Sequence, residues 1–238
     1  MTYAVTAVSG QLGREIALTL ARQVGPDRVI GLARSPEKAS GLGIAVRPGD
    51  YDQPDQLRSS LAGVDALVLV SGMAPPDERI GQHRNVIAAA KAAGVAKIVY
   101  TSIQGPEAGT PFSPIVQSNR QTEADIRASG LAWAIGRNGI YIEPDIAYLD
   151  SYRARGEIAN SAGDGRCGYT TRSELACAYT ALLIHAEMNG KIANLNGVPI
   201  TQAELAEHLN ATFGIDLSYR AMSSAAYVAD RTAELGPF

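Results

Sequence analysis

The sequence of 238 residues has few of the residues that build disulfide frameworks and metal sites. Its two cysteines, Cys167 and Cys177, are too few for a disulfide framework, so we expect both to be reduced and to act as small apolar residues. The three histidines, His83, His185 and His208, are far apart in sequence and form no HxH or HExxH pattern. We therefore predict that the protein holds no metal ion.

Long apolar runs, a signal segment and an excess of positive charge are also missing. No apolar run approaches the roughly 18 residues that a membrane span needs, and the first residues show no basic stretch followed by an apolar core. The net charge of −3 argues against a nucleic-acid or membrane-surface partner. We expect a soluble, cytoplasmic protein with no nucleic-acid or membrane partner.

The hydrophobic content of 46% is ample for a core, and the apolar residues form alternating strand-like and helix-like segments. This alternation is typical of a parallel, doubly wound α/β sheet of the Rossmann type. We expect residues 1–138 to form a nucleotide-binding domain, to which later residues could add strands, and residues 139–238 to form a small C-terminal α/β lobe. Besides one strand at the N-terminus, the predicted strands are 28–33, 44–48, 66–70, 97–101, 131–135 and 191–195. The predicted helices include 54–61, 82–93, 118–129 and 173–185, and 104–116 is predicted to be a loop that serves as a lid or pocket wall.

The N-terminal segment, from Tyr3 to Gly13, combines a buried strand, a glycine turn and the start of a helix. The first N–H groups of a helix have no partner within it, and the helix dipole favours an anion there. Gly10 would let the backbone approach a pyrophosphate, and Gly13 would let the helix pack close to the strand. Because Ala7 stands in place of the first glycine of the fingerprint, an ordinary strand-to-helix turn is the alternative. The cofactor contacts predicted here are Thr6, Ser9, Gly10, Gln11, Leu12 and Gly13.

Arg34 follows the second predicted strand. In NAD-specific sites an acidic residue at this place holds the ribose 2′-hydroxyl. A carboxylate would repel a 2′-phosphate, whereas a guanidinium binds it with two charge-assisted hydrogen bonds. We therefore predict NADP(H) rather than NAD(H) as the cofactor, and a solvated surface arginine is the alternative.

Further candidates lie at the carboxyl ends of predicted strands, where doubly wound sheets bind their ligands. Asp50 could accept a hydrogen bond from the adenine amine, although an aspartate in a turn or helix cap is a strong alternative. Ser71 and Gly72 end the fourth strand and are expected to lie across from Gly10. The predicted cofactor contacts at these strand ends are Asp50, Tyr51, Ser71, Gly72, Thr101 and Ser102.

With these residues placed, the chain resembles the NmrA-like, atypical short-chain dehydrogenases/reductases. Within that group it is most similar to the type 2 NAD(P)H:quinone oxidoreductases and the related triphenylmethane reductase, and the similarity covers nearly the whole chain. Two segments are fairly specific for the group, the run from Gln82 to Val95 and the Arg-Asn-Gly-x-Tyr segment from Arg137 to Tyr141. The resemblance is also carried by Thr6 to Gly13, Arg34, Gly49 to Tyr51, Tyr100 to Ser102, Thr122 with Glu123, Tyr169 to Ala176 and Thr201 to Ala206.

This resemblance implies an NADPH-binding Rossmann domain, a small C-terminal lobe and a quinone-type acceptor in the cleft between them. It adds Asn138, Gly139 and Tyr141 to the expected cofactor contacts. The chain departs from the family pattern at the first glycine and at Asn119, where the quinone reductases carry a histidine. It is also shorter at its C-terminus than such proteins usually are, in a segment that borders the cleft.

The catalytic pair of typical short-chain dehydrogenases is missing from this sequence. Those enzymes place tyrosine and lysine four residues apart, and the lysine lowers the tyrosine pKa so that it exchanges a proton with an alcohol oxygen. No Tyr-x-x-x-Lys follows Ser102, and Asn119 and Glu123 stand at that spacing instead. Since glutamate cannot lower the pKa of a neighbouring acid as lysine does, carbonyl–alcohol chemistry of the usual kind is not expected.

Our candidate catalytic residues, as orienting or hydrogen-bonding groups, are Ser102, Asn119 and Tyr141. The alternatives are a solvent-facing amide for Asn119 and an amphipathic core residue for Tyr141. We expect His83 on the outer face of its helix rather than in catalysis.

Quinone reduction needs fewer catalytic groups than carbonyl–alcohol chemistry does, because hydride passes directly from the nicotinamide and the site has only to stack and orient two rings. We therefore predict an NADPH-dependent oxidoreductase acting on a quinone or similar conjugated acceptor, as a monomer or homodimer. A non-catalytic NADP(H)-sensing regulatory protein is the alternative from another class, and a reductase of a different unsaturated acceptor would use the same machinery. The fold alone cannot decide among these functions.

Overall fold

The computed structural model describes residues 1–236, and its central element is a seven-stranded parallel sheet. The strands are β1 Tyr3–Val5, β2 Val29–Ala33, β3 Ala45–Pro48, β4 Ala66–Val70, β5 Lys97–Ile103, β6 Ala132–Asn138, β7 Ile140–Tyr141, β8 Glu157–Asn160, β9 Tyr169–Thr170, β10 Lys191–Leu195 and β11 Ser218–Ala221. The α-helices are α1 Gln11–Val24, α2 Pro54–Ser60, α3 Pro76–Ala92, α4 Ser113–Ala128, α5 Glu143–Ala147, α6 Leu149–Arg155, α7 Arg172–Ile184, α8 Gln202–Phe213 and α9 Ser224–Leu235. Short 3₁₀ helices cover Pro26–Arg28, Pro36–Leu42 and Ala186–Met188. Within residues 1–236 no helix is both long and apolar enough to cross a lipid bilayer.

The large sheet has the strand order β10-β6-β5-β4-β1-β2-β3, so the order reverses between β1 and β4. Tyr3 of β1 lies beside Val29 of β2 on one side and Ala66 of β4 on the other, both in parallel register. All residues of β2 and β4 are buried, as strands covered by helices on both faces require. Because all seven strands are parallel, each directs its carboxyl end to the same edge of the sheet. Ligands of doubly wound sheets bind at this edge, where the strand order reverses.

The chain divides into two compact units. The first contains Met1–Asn138 and Arg172–Leu195, which together hold the large sheet, α1 to α4 and α7. The second contains Gly139–Thr171 and the chain from Asn196 onward, with two ribbons of two parallel strands, β7 with β9 and β8 with β11. A separate apolar core holds the second unit together, and it includes Leu149, Ile158, Leu205, Leu209 and Leu217.

Most elements of the first unit follow the sequence pattern, with two differences at helix starts. The bounds predicted for β4 and β10 are confirmed. The helix predicted from residue 82 begins at Pro76, and residues 113–116 of the predicted loop belong to α4. Both helices carry a proline in the first turn, where its missing N–H leaves no hydrogen bond unmade.

The second unit was predicted less completely. The helix after Thr201 starts with the capping box that the sequence indicated, since Thr201 Oγ1 accepts the Glu204 N–H and Glu204 accepts the Thr201 N–H. The short elements α5, α6, β8 and β11 had no counterpart in the predictions. These four segments show no clear periodic apolar pattern in the sequence.

Candidate functional site

The glycine turn after β1 brings the start of α1 against the strand. The Gly10 N–H donates to the Ala7 carbonyl at 2.9 Å, and α1 begins at the next residue. A Cβ added to Gly13 would lie 2.4 Å from the Ala7 oxygen and 2.7 Å from the Thr6 oxygen, so only glycine fits there. No side chain among the described residues caps the helix, which leaves its first N–H groups for an anion.

The turn holds Ala7 in an unusual backbone conformation. Its φ of +52° lies in the left-handed region, and Ala7 is the sole non-glycine residue with positive φ among residues 1–236. An L-residue with a Cβ pays roughly 1–2 kcal/mol for this conformation. The alanine therefore strains the turn through its backbone, at the position where the fingerprint has its first glycine.

Thr6 and Tyr51 form a buried hydrogen-bonded link between the ends of β1, β3 and β4. Thr6 Oγ1 accepts the Val70 N–H at 2.9 Å and is hydrogen-bonded to the Tyr51 hydroxyl, which donates to the Val70 carbonyl at 2.8 Å. Thr6 is fully buried, and burial raises the pKa of Tyr51 above its usual value. Both hydroxyls thus have internal partners, and direct cofactor contact by either side chain remains a prediction.

Arg34 and Asp50 follow two neighbouring strands, β2 and β3. Arg34 follows β2, is exposed, and makes no hydrogen bond or ion pair with any described residue, so its guanidinium is available to a ligand. Asp50 Oδ1 accepts the Asp52 N–H at 3.2 Å, while the Asp50 N–H donates to Gln56 Oε1 at 3.1 Å. The turn-capping role that the sequence left open for Asp50 is therefore present, and its contact with adenine remains a prediction.

The segment Ser71–Ala74, which we term the β4 loop, is held by three side chains from two other elements, β5 and α3. The Ser71 N–H donates to Thr101 Oγ1 at 2.8 Å, and the Gly72 N–H donates to His83 Nε2 at 2.9 Å. Arg79 Nη2 donates to the Ala74 carbonyl at 2.8 Å. The backbone of this loop is thus fixed at three successive points beside the position where the strand order reverses.

His83 is buried, so the expectation that it lies on the outer face of its helix is wrong. It is 1% exposed and packs edge-on against the rings of Tyr51 and Tyr100. Because its Nε2 accepts the Gly72 N–H, its proton lies on Nδ1, 2.9 Å from Thr122 Oγ1. Burial, with a smaller contribution from the positive charge of Arg79, lowers the pKa of His83 to about 3.

Asn119 is also buried, which excludes the solvent-facing alternative. It is 1% exposed, its Oδ1 accepts the Tyr100 hydroxyl at 2.6 Å, and its Nδ2 donates to the Ile115 carbonyl at 2.8 Å. Ser71 Oγ lies 3.4 Å from both Asn119 Oδ1 and the Tyr100 hydroxyl, and Ser71 is the partly exposed member of this group. Burial raises the pKa of Tyr100 to about 12. Tyr100, which the sequence analysis included only as part of a family-resembling segment, thus belongs to the buried hydrogen-bonded group behind Ser71.

Ser102 belongs to a buried ionic cluster centred on Glu123. Its Oγ donates to Glu123 Oε1 at 2.6 Å, Arg120 Nη1 lies 2.8 Å from the same oxygen, and Arg137 Nη2 lies 2.6 Å from Oε2. Burial alone would raise the pKa of Glu123, but the hydrogen bonds from Arg137 and Ser102 and the charges of both arginines lower it. Ser102 is fully buried, so its predicted contact with cofactor or acceptor remains untested and its hydroxyl serves this cluster.

The remaining predicted residues fall in both units. Asn138 ends β6 in the first unit, and its Oδ1 accepts the Tyr179 hydroxyl at 2.5 Å. In the second unit a Cβ on Gly139 would lie 2.2 Å from the Gly168 oxygen, so this glycine permits close backbone packing. Tyr141, also in the second unit, is partly buried in β7 beside β9. The first unit thus brings together the glycine turn, Arg34 and the β4 loop, and it holds neither Gly139 nor Tyr141.

Comparison with known proteins identifies similar chains along nearly the whole length. A family model described as NAD(P)H-binding matches residues 8–183. Quinone oxidoreductase 2 of Escherichia coli is 35% identical over 230 residues, which cover 95% of this chain and 79% of that protein. NAD(P)H azoreductase of Xenophilus azovorans is 27% identical over 226 residues, covering 92% and 76%.

Two solved structures show the same fold. Triphenylmethane reductase of Citrobacter sp. in complex with NADP(H) has a TM-score of 0.92 at 32% identity, covering 100% of this chain and 85% of that one. The NADPH-dependent quinone oxidoreductase of Escherichia coli in complex with NADPH has a TM-score of 0.90 at 33% identity, covering 99% and 84%. The Rossmann-type α/β fold predicted from the sequence is confirmed.

Replacing Ala7 by glycine should stabilise the protein. The substitution removes roughly 1–2 kcal/mol of left-handed strain and adds about 0.4–1 kcal/mol of unfolded-chain entropy, so we expect a net gain of roughly 0.5–1 kcal/mol in the free energy of unfolding, measured in urea. The matched control is Ala88→Gly, at an exposed position inside α3, which should lose about 1 kcal/mol. A loss of stability in Ala7→Gly would contradict the strain argument.

His83 should make the stability of the protein depend on pH. Its pKa falls from 6.5 in the unfolded chain to about 3 in the folded one, so between these values the unfolded chain binds a proton that the folded chain does not. Its contribution to stability is therefore complete above pH 6.5 and is lost as pH falls toward 3. The difference in unfolding free energy between wild type and His83→Gln should shrink by up to about 1.4 kcal/mol per pH unit below pH ~6. A difference that stays constant from pH 4 to 7 would show that folded His83 takes up the proton normally.

Proposed function

Because the chain belongs to the NAD(P)H-binding family, we propose that it is an NADPH-dependent reductase that passes hydride to a quinone or a similar conjugated acceptor. The proposed use of NADPH rests on one observation, the combination of a free helix start and a free arginine. Within residues 1–236 no side chain caps the start of α1 at the glycine turn, and Arg34 is exposed and unpaired. The acceptor part rests on the relatives and on the absence of Tyr-x-x-x-Lys after Ser102.

The residues present fit a dinucleotide phosphate. The missing Cβ at Gly13 lets α1 start directly against the end of β1. The N–H groups of Gln11 to Gly13 are free of side-chain caps within the described chain, so they are available to a diphosphate. Arg34 would bind the 2′-phosphate with two charge-assisted hydrogen bonds. The bound cofactor would supply the hydride, which leaves binding, orientation and exclusion of water to the protein.

The polar residues near the strand ends would act by keeping neighbouring groups of the site in fixed positions. Asn119 and Ser102 are buried with internal partners, so we propose that they orient Ser71 and the end of β5 rather than exchange protons with the acceptor. Reduction of a quinone needs one hydride and one proton, and water can supply the proton to the acceptor oxygen. Tyr141 remains our proposed hydrogen-bonding group in the second unit.

The names of the relatives favour an acceptor with an extended conjugated system. One is called a quinone oxidoreductase, one an azoreductase and one a triphenylmethane reductase. Quinones, azo dyes and triphenylmethane dyes all accept hydride into a delocalised system, which explains why no strong acid catalyst would be needed. We therefore propose a flat, conjugated, electron-poor acceptor.

The proposal is tested by following NADPH absorbance with the purified protein and a panel of small quinones, without added flavin, and with NADH in parallel. We expect oxidation of NADPH that depends on both protein and quinone and is faster than oxidation of NADH. Tight NADPH binding without oxidation of any acceptor would contradict the reductase and favour a protein that senses NADP(H) and passes its redox state to a partner.

Arg34→Glu tests the cofactor preference. Loss of two charged hydrogen bonds and the new repulsion should weaken NADPH by roughly tenfold to a hundredfold and leave NADH within about threefold, as measured by calorimetry. The control is Arg127→Glu, which makes the same charge change at an exposed position in the last turn of α4 and should alter neither affinity. Equal losses for the two cofactors in Arg34→Glu would overturn the specificity argument.

A further inference from the structure

Polar side chains of α3 reach two loops at the carboxyl edge of the sheet. One is the segment Gly49–Asp52 after β3, which we term the β3 loop. Gln82 Nε2 donates to Asp52 Oδ2 at 3.0 Å, and Asn85 Nδ2 donates to the Tyr51 carbonyl at 2.9 Å. The family-specific run that begins at Gln82 therefore has a physical meaning, since two of its side chains bind this loop.

The same helix binds the β4 loop through His83 and Arg79. His83 accepts the Gly72 N–H, and the Nδ1 of the same ring faces Thr122 on α4, so the ring is fixed from both sides. Arg79 is 6% exposed and donates to the Ala74 carbonyl. Within the described part of the chain no carboxylate pairs with Arg79, and its Nε has no partner. A buried guanidinium without a carboxylate partner lowers the stability of the folded protein. Packing alone therefore does not explain why an arginine occupies this buried position.

The strand order separates the two loops by function. In a doubly wound sheet each half binds one nucleotide of the cofactor, and here β1, β2 and β3 form one half while β4, β5 and β6 form the other. Arg34 directly follows β2, which assigns the adenosine 2′-phosphate to the first half. The β3 loop then faces the adenine half and the β4 loop faces the nicotinamide half, a step that rests on the proposed function.

We propose that α3 is the positioning element for both halves of the cofactor. His83 and Arg79 fix the β4 loop for the nicotinamide half. Gln82 and Asn85 fix the β3 loop for the adenine half. None of these four side chains needs to touch the cofactor, because each acts through a loop atom that it hydrogen-bonds.

The proposal predicts that variants of one helix lose affinity for different parts of the ligand. The probes are NADPH and adenosine 2′,5′-bisphosphate, which lacks the nicotinamide half, with dissociation constants measured by calorimetry on protein whose folding is verified by its thermal transition. His83→Phe should weaken NADPH about tenfold and leave the bisphosphate within about twofold. His83→Gln, whose amide can still accept the Gly72 N–H, should recover most of the NADPH affinity.

Two further variants of α3 complete the comparison. Asn85→Ala should weaken both ligands by a similar factor, because it releases the adenine side. Arg84→Gln is the matched control, since Arg84 lies between His83 and Asn85 but, within residues 1–236, pairs only with Asp125 of α4. It should leave both dissociation constants within twofold.

The outcomes separate the inference from the function on which it rests. If wild type binds neither probe, the proposed cofactor site is wrong. If wild type binds both and His83→Phe loses both equally, or loses neither, the positioning role is wrong. If His83→Phe does not fold, Arg79→Met takes its place, because it removes the bond to Ala74 together with the unpaired charge; unchanged NADPH affinity in that variant would overturn the inference.

Discussion

The contact between α1 and β1 at Gly13 is the constraint on which the candidate site depends. With no room for a Cβ between Gly13 and the carbonyls of Thr6 and Ala7, the helix starts directly against the end of the strand. The chain must then turn within a few residues, which forces Ala7 into the left-handed region. Within residues 1–236 no side chain caps the first N–H groups of α1, which lie where the strand order reverses. The strained backbone of Ala7 and the uncapped helix start thus have one geometric origin.

A second requirement follows from the parallel sheet itself. Where strands end, the backbone loses its ladder partners, and buried polar groups there must find other hydrogen bonds. Side chains supply them at this edge: Thr6 for Val70, Thr101 for Ser71 and His83 for Gly72. Thr6, His83 and Thr101 are buried because they make these contacts. Ser102, Asn119, Thr122 and Glu123 are buried beside them and hydrogen-bond to other side chains or to helix carbonyls.

The sequence indicated the sheet and the glycine turn because these features are local. An apolar run such as Ala66–Val70 predicts a buried strand by itself, and Gly10 with Gly13 predicts a helix start. The polar network was not accessible in the same way. His83 and Asn119 appear as ordinary polar residues of helical segments, and their burial depends on the packing of α3 and α4, which a single sequence does not give.

Pro76 was missed as the start of α3 for another reason, since proline marks a helix start only when a periodic pattern follows it closely.

The second unit shows the opposite case. Its capping box at Thr201 was visible because the signal spans four residues, whereas α5, α6 and the short strands depend on a local core that includes Leu149 and Leu217. Tyr141 lies in this unit, and its predicted role rests on the family resemblance rather than on a periodic pattern.

The buried polar network also bears on the chemistry. A reductase that transfers protons through side chains needs a titratable group with access to its substrate, but Ser102 and Asn119 are buried with internal partners, and Glu123 is paired with two arginines. Breaking any of these contacts to free a proton donor would leave a buried group unsatisfied, at a cost of roughly 1–3 kcal/mol. The network is therefore better suited to keeping the strand ends and loops in one arrangement than to acid–base catalysis. The proposed direct hydride transfer to a conjugated acceptor has a barrier that depends chiefly on the alignment of two flat rings, so it would need no acid–base group from this network.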